Sequence, residues 1–175
     1  MRRIRRVAVV PLLAAVIAPG SAGAATCAGA DTAPAQLGRA QAAKTTLCLL
    51  NRERAAHGLR PLRLDARLAR AAGGHARDMV AGHYFAHDSR SGASFDARIR
   101  RTGWMRSRRS WRVGENLGYG EGATAAPRRM VAAWMHSAGH RANILAPGFR
   151  EIGIGIAARA PTGAAGATYA TDFGG

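Results

Sequence analysis

The stretch WMHSAGHRANI, residues 134–144, sets His136 and His140 four positions apart. Two histidines at that spacing share one helical face and hold zinc in the H-E-x-x-H pattern, whose glutamate acts as general base. Here Ser137 stands in the glutamate's place and Gly139 just before the second histidine. Glycine costs about 1 kcal/mol inside a helix and serine prefers a helix start. The spacing therefore predicts a helix that ends near His136, with Ser137 capping a new short turn that carries His140. On this reading the pair splits, His136 faces solvent, and no zincin site forms.

The elements that must position these side chains follow from hydrophobic period and breaker residues. Residues 28–36 read as an extended linker, and Leu37 to His57 as a helix stopped by Gly58. Asp65 predicts the cap of a second helix, Ala66 to about Val80, with Leu68, Ala72, His75 and Met79 on one face. Residues 83–94 read as a loop, and Ser94 as the cap of a short third helix ending at Thr102 and Gly103. The glycine-rich RVGENLGYGEG reads as irregular, and Thr124 as the cap of a fourth helix through His136. EIGIGIAA alternates Ile152, Ile154 and Ile156 with small residues, which is strand periodicity, and TYATDF supplies a last strand. Helices followed by a closing hairpin give one α+β domain.

Arg2, Arg3, Arg5 and Arg6, the apolar run Val7 to Ala18 and the small residues through Ala25 have the layout of a signal peptide over residues 1–25. Residues 26–43 then form the N-terminal linker and the start of the first helix, and 44–174 the domain. Export would oxidise thiols, so Cys27 and Cys48 are expected to form one disulfide, worth about 3 kcal/mol by loop closure. The formal charge is +16; without the four leader arginines, 22 basic against 10 acidic residues leave +12. Such charge favours anionic cell-envelope polymers or lipid headgroups. The arginines are scattered without an aromatic-plus-basic motif, which argues against nucleic acid.

LNRERAAHGLRPLRLDARLARAAGGHARDM, then YFAHDS, GEN, WMHSAGHRANIL, IGIGIA and YATDF, resemble in order and spacing the bacterial branch of the CAP superfamily. These are the SCP-like domains related to cysteine-rich secretory proteins, antigen 5 and pathogenesis-related 1 proteins. The resemblance implies an α-β-α sandwich with a small antiparallel sheet between helical layers. It also implies a cleft tetrad of two histidines and two glutamates that binds divalent metal in some members. His87 and Glu115 match the first histidine and first glutamate. Ser137 stands where relatives place the second glutamate, and Thr168 where they place the strand histidine, so His140 is the candidate replacement in space.

That reduced constellation has three readings. His87, Glu115 and His140 could hold a zinc-like ion with open positions. They could instead hydrogen-bond one another and shape a polar cleft with Asn116, Ser137 and Arg141. They could also serve a metal-assisted hydrolase of peptide or cell-wall material, or one with Ser137 as nucleophile, His140 or His87 as base and Glu115 orienting that base or activating a water directly. Ser137 reads better as a cap whose hydroxyl is spent on backbone. His75 reads as a packing or hydrogen-bonded residue, His57 as a partner of a helix C-terminus, and His83 as a loop residue. Asn116 and Asn143 read as structural, and Arg141 as a partner of Glu151 or of an anionic ligand. The expectation is a secreted, monomeric, non-enzymatic binding module whose ligand is a lipid, an envelope component or an extracellular protein.

Overall fold

The computed structural model describes residues 26–106 and 108–175, so the segment read as a signal peptide lies outside the described residues. Short helix α1 (Pro34–Leu37) leads into α2 (Arg39–Ala56), followed by β1 (Arg63–Leu64) and α3 (Ala66–Gly82). Then come α4 (Phe95–Arg101), β2 (Val113–Glu121), a 3-10 turn (Gly122–Ala125), α5 (Pro127–His136) and α6 (Ala138–Leu145). Strands β3 (Glu151–Ala158) and β4 (Gly166–Gly174) close the chain. No helix of the described residues is long and apolar enough to cross a membrane.

The sheet has the order β1-β3-β4-β2. Antiparallel pairs join β3 to β4 and β4 to β2, but β1 runs parallel to β3, so the sheet is mixed where an antiparallel one was expected. Its two faces differ because strand side chains alternate. Ile152, Ile154, Ile156, Tyr169 and Phe173 pack with Leu49 and Leu50 of α2 and with Met130, Val131 and Trp134 of α5. The opposite face carries Gly153 and Gly155. A Cβ at Gly153 would lie 2.0 Å from the carbonyl carbon of Leu68, and one at Gly155 2.2 Å from the nitrogen of Gly73. Glycine here admits the backbone of α3 directly onto β3, giving the α-β-α layering.

Three local readings change. Segment 28–36 is not extended: turns lead into α1, and Cys27 is tied to Cys48 by the expected disulfide. RVGENLGYGEG is mostly a nine-residue strand, β2. Its glycines hide the strand because they are packing contacts: a Cβ at Gly118 would strike Met130 Sδ at 2.3 Å. Thr124 does not cap α5, which begins at Pro127; its hydroxyl closes the 3-10 turn against Glu121 instead. Asp65 does cap α3, accepting from the N–H groups of Arg67 and Leu68. Ser94 stands at the N-cap of α4, but its hydroxyl bonds Asp96, not backbone.

Arg54 of α2 is completely buried and has no acidic partner among the described residues. Its guanidinium donates to the carbonyls of Arg60, Ile144, Ala146 and Phe149, at 2.7 to 3.2 Å. Burial and the charge of Arg150 push its pKa down, yet an arginine keeps its proton. The C-terminal end of α6 supplies the compensating negative potential. Arg54 thus ties α2 to α6, the helix that presents His140. Replacing it, Arg54→Met, leaves several buried carbonyls without a donor and is expected to cost about 3 kcal/mol or more in urea unfolding. A loss below about 1 kcal/mol would mean that those carbonyls find other donors.

Candidate functional site

β2 is an edge strand, and Glu115 sits on it facing α3 and α4. The residue is 4 % exposed, its carboxylate not at all, and both oxygens are engaged. His87 Nδ1 donates to Oε1 at 2.8 Å, and Arg98 to Oε2 at 2.6 Å. Arg98, itself buried on α4, also donates to the His87 carbonyl at 2.8 Å and the Ala93 carbonyl at 2.9 Å. One guanidinium therefore fastens the 83–94 loop to the strand and sets His87 beside Glu115. Because Nδ1 is bound, a neutral His87 presents its basic Nε2 away from the carboxylate, on a side chain that is 54 % exposed.

Asp172, directly opposite Glu115 on β4, is fully buried, and neither of its oxygens meets a described donor. Burial, then the Glu115 charge, push its pKa well above the usual carboxylate range, although Arg98 pulls it down. Two adjacent carboxylates with one guanidinium are relieved by a proton. Burial beside Glu115 thus favours the protonated form of Asp172. His75 of α3 completes the floor: its Nε2 bonds the Ala86 carbonyl at 2.9 Å, while Nδ1 has no described partner. Burial and the Arg98 charge lower its pKa, which keeps the ring neutral. Arg98 and Asp172 are site groups that sequence reading passed over; only pairing across β2 and β4 and the path of α4 bring them to Glu115.

On the far side of the edge strand, α5 ends at His136 and α6 begins at Ala138, as the Ser-x-Gly break predicted. His136 is exposed, with Nδ1 turned to the Ala132 carbonyl. Ser137 occupies the N-cap position but its side chain makes no cap bond. Its backbone is extended, with ψ at 120°, and its carbonyl, not its hydroxyl, accepts from Arg141 N–H. Asn116 donates to the His140 carbonyl, and Asn143 to the Glu115 carbonyl and to Asn116 Oδ1. These two asparagines fasten α6 to β2. Arg141 turns away from Glu151, which is taken by Trp104 and Arg108, and meets His57 Nε2 at 3.2 Å. His83, read as a loop residue, bonds the Pro161 carbonyl through Nδ1.

Burial and the charge of His87 lower the His140 pKa, so the two imidazoles are electrostatic neighbours. Beside them opens a pocket of about 280 Å³, lined by Phe85, Leu117, Tyr119, Trp134, Ser137 and His140 among others. Phe85 and Tyr119 are partly exposed and meet edge to face at 5.0 Å. The three-ligand metal reading does not fit. No group of three His, Cys, Asp or Glu converges to hold an ion among the described residues, and Arg98 and His87 already occupy the Glu115 oxygens.

Helices on both faces of a small sheet, with a His–carboxylate pair at its edge, define an SCP-type domain. The chain belongs to the CAP, or cysteine-rich secretory protein, family, whose model matches residues 47–170. It is 39% identical over 115 residues to the uncharacterized protein YkwD of Bacillus subtilis (strain 168), covering 64% of this chain and 41% of that one. It is 33% identical over 115 residues to the uncharacterized membrane protein YlbC of the same organism, covering 65% of this chain and 31% of that one. The chain thus spans less than half the length of these relatives. Among solved structures, an extracellular protein containing an SCP domain from Bacillus anthracis matches with TM-score 0.64 and 26% identity. That match covers 77% of this chain and 40% of the other. An outer surface protein of Borrelia burgdorferi shares the fold at TM-score 0.60 and 20% identity, covering 75% of this chain and 90% of that one.

The raised pKa of Asp172 has a measurable consequence. Its folded pKa is raised, so the native protein keeps a proton that the unfolded chain releases above about 3.8. Native stability therefore falls as pH rises from that value through the raised one. Asp172→Asn, which donates without titrating, is expected to melt above the parent protein at pH 8, with the gap narrowing toward pH 4. Thermal melts across that range check it, and a gap independent of pH would overturn the assignment.

Proposed function

We propose that this domain is a secreted, non-enzymatic binding module whose cleft takes a ligand with one apolar group and one hydrogen-bonding group. The observation that carries this reading is the contrast between the two halves of the cleft. Glu115 is locked between Arg98 and His87, and its side chain is shut off from solvent. The neighbouring pocket is open, walled by Leu117, Tyr119, Trp134 and Phe85, and rimmed by Ser137 and His140. An apolar pocket with a few placed polar groups is the usual form of a small-molecule site. The disulfide, and the extracellular protein among its structural relatives, support export.

One observation favours a second reading, a hydrolase. His87 is oriented by Glu115 as a base is oriented in a catalytic triad, and Ser137 has a hydroxyl not spent on a cap. Purified protein assayed on peptides and peptidoglycan, with and without zinc, separates the two. The binding reading expects no turnover, and a melting temperature unmoved by zinc or chelator. Turnover abolished by both His87→Ala and Ser137→Ala would overturn it. Octanoate is the probe for the pocket: it is expected to shift the NMR signal of the Trp134 indole N–H. Ala133→Phe, at an exposed position lining the pocket, should abolish that shift without changing the fold.

A further inference from the structure

Arginines that look scattered along the sequence gather at one end of the molecule. Between Ala97 and Gly114 the chain has seven arginines and no acidic residue. Three are matched: Arg98 with Glu115, Arg100 with Asp96, and Arg108 with Glu151. Arg101, Arg106, Arg109 and Arg112 are exposed and enter no ion pair among the described residues. Two more cations arrive from α3. Exposed Arg67 and Arg70 donate to the carbonyls of Gly103 and Thr102, at 3.2 and 3.5 Å, and so reach the end of α4 where Arg101 stands. Trp111 lies in this segment, 42 % exposed, whereas Trp104 and Trp134 are buried.

We propose that this end of the molecule docks on a bilayer surface containing anionic phospholipid, with Trp111 at headgroup level. An indole flanked by Arg109 and Arg112 suits that boundary: the ring meets the acyl edge while its N–H and the guanidiniums stay among the headgroups. Guanidinium forks also pair with phosphate oxygens through two parallel bonds. A soluble polyanion would satisfy the arginines and leave the indole in water, which is why the lipid surface is the better fit. The patch lies beyond the N-terminal end of β2, while the apolar pocket lies at Leu117 and Tyr119. Docking leaves the cleft accessible, and the proposal is independent of what the cleft binds.

Phosphatidylcholine vesicles with and without phosphatidylglycerol test this by sedimentation and tryptophan fluorescence of the purified protein. Binding is expected only with phosphatidylglycerol, weakening as salt is raised, with blue-shifted emission that Trp111→Tyr removes. A triple Arg106→Gln, Arg109→Gln, Arg112→Gln variant should lose about 100-fold in partitioning, near fivefold per arginine. The same charge removed from α2 and the following loop, Arg39→Gln, Arg52→Gln, Arg60→Gln, should cost far less. All these side chains are exposed, and melting curves confirm folding; Trp111→Tyr alone carries the test if the triple fails. Equal binding to neutral vesicles, or equal losses in the two triples, would overturn the proposal. So would unshifted emission together with equally tight binding to soluble polyphosphate, which would make the patch a polymer site.

Discussion

A carboxylate without access to water has to be answered, and in this fold the answer to Glu115 organises the site. Arg98 reaches it from α4 with 9 % of its own side chain exposed, so neither charge is relieved by solvent. Removing either partner would strand a buried charge, a far larger penalty than losing a surface ion pair. The same guanidinium holds the carbonyls of His87 and Ala93. Strand, helix and loop are consequently locked to one another through one side chain, and the orientation of His87 is inherited from that lock. Asp172 adds a second buried carboxyl beside the pair, and the crowded negative charge favours its protonated form.

The opposite half of the cleft is held by hydrogen bonds instead of charge. Asn116 and Asn143 clamp α6 to the edge strand, and Trp134 donates to the Leu117 carbonyl at 2.8 Å. With the Glu115 carbonyl also bonded, side chains occupy edge carbonyls that could otherwise recruit a foreign strand. Arg54 fixes the far end of α6 from inside the core. The pocket between Phe85 and Trp134 is thus built on rigid supports from both layers, which suits recognition by a preformed surface.

The α3 layer depends on the absence of side chains. Gly153 and Gly155 bring the α3 backbone within contact of β3, and the alternate isoleucines fill the other layer. A strand with one bare face and one apolar face can accept two different helices at two different distances. That property follows from a period of two in the sequence IGIGIA.

Amphipathic period, the Asp65 cap and the Ser-Gly break were readable because each acts within a few residues of itself. α3, the paired ends of α5 and α6, and the two closing strands follow from such local signals. His87, Glu115 and His140 were named from their motifs, and the disulfide from two cysteines and the expectation of export. β2 was not legible, since its glycines lower strand propensity and their purpose is contact with Met130 and Asn143, distant in sequence. Nor could local signals show that Ser137 leaves its cap unmade or that Arg141 turns to His57. Sequence alone determined the layered fold class and singled out His87, Glu115 and His140 as cleft candidates. Tertiary structure decided their chemistry, because the pairing of β2 with β4 and the reach of Arg98 determine how the charge on Glu115 is satisfied.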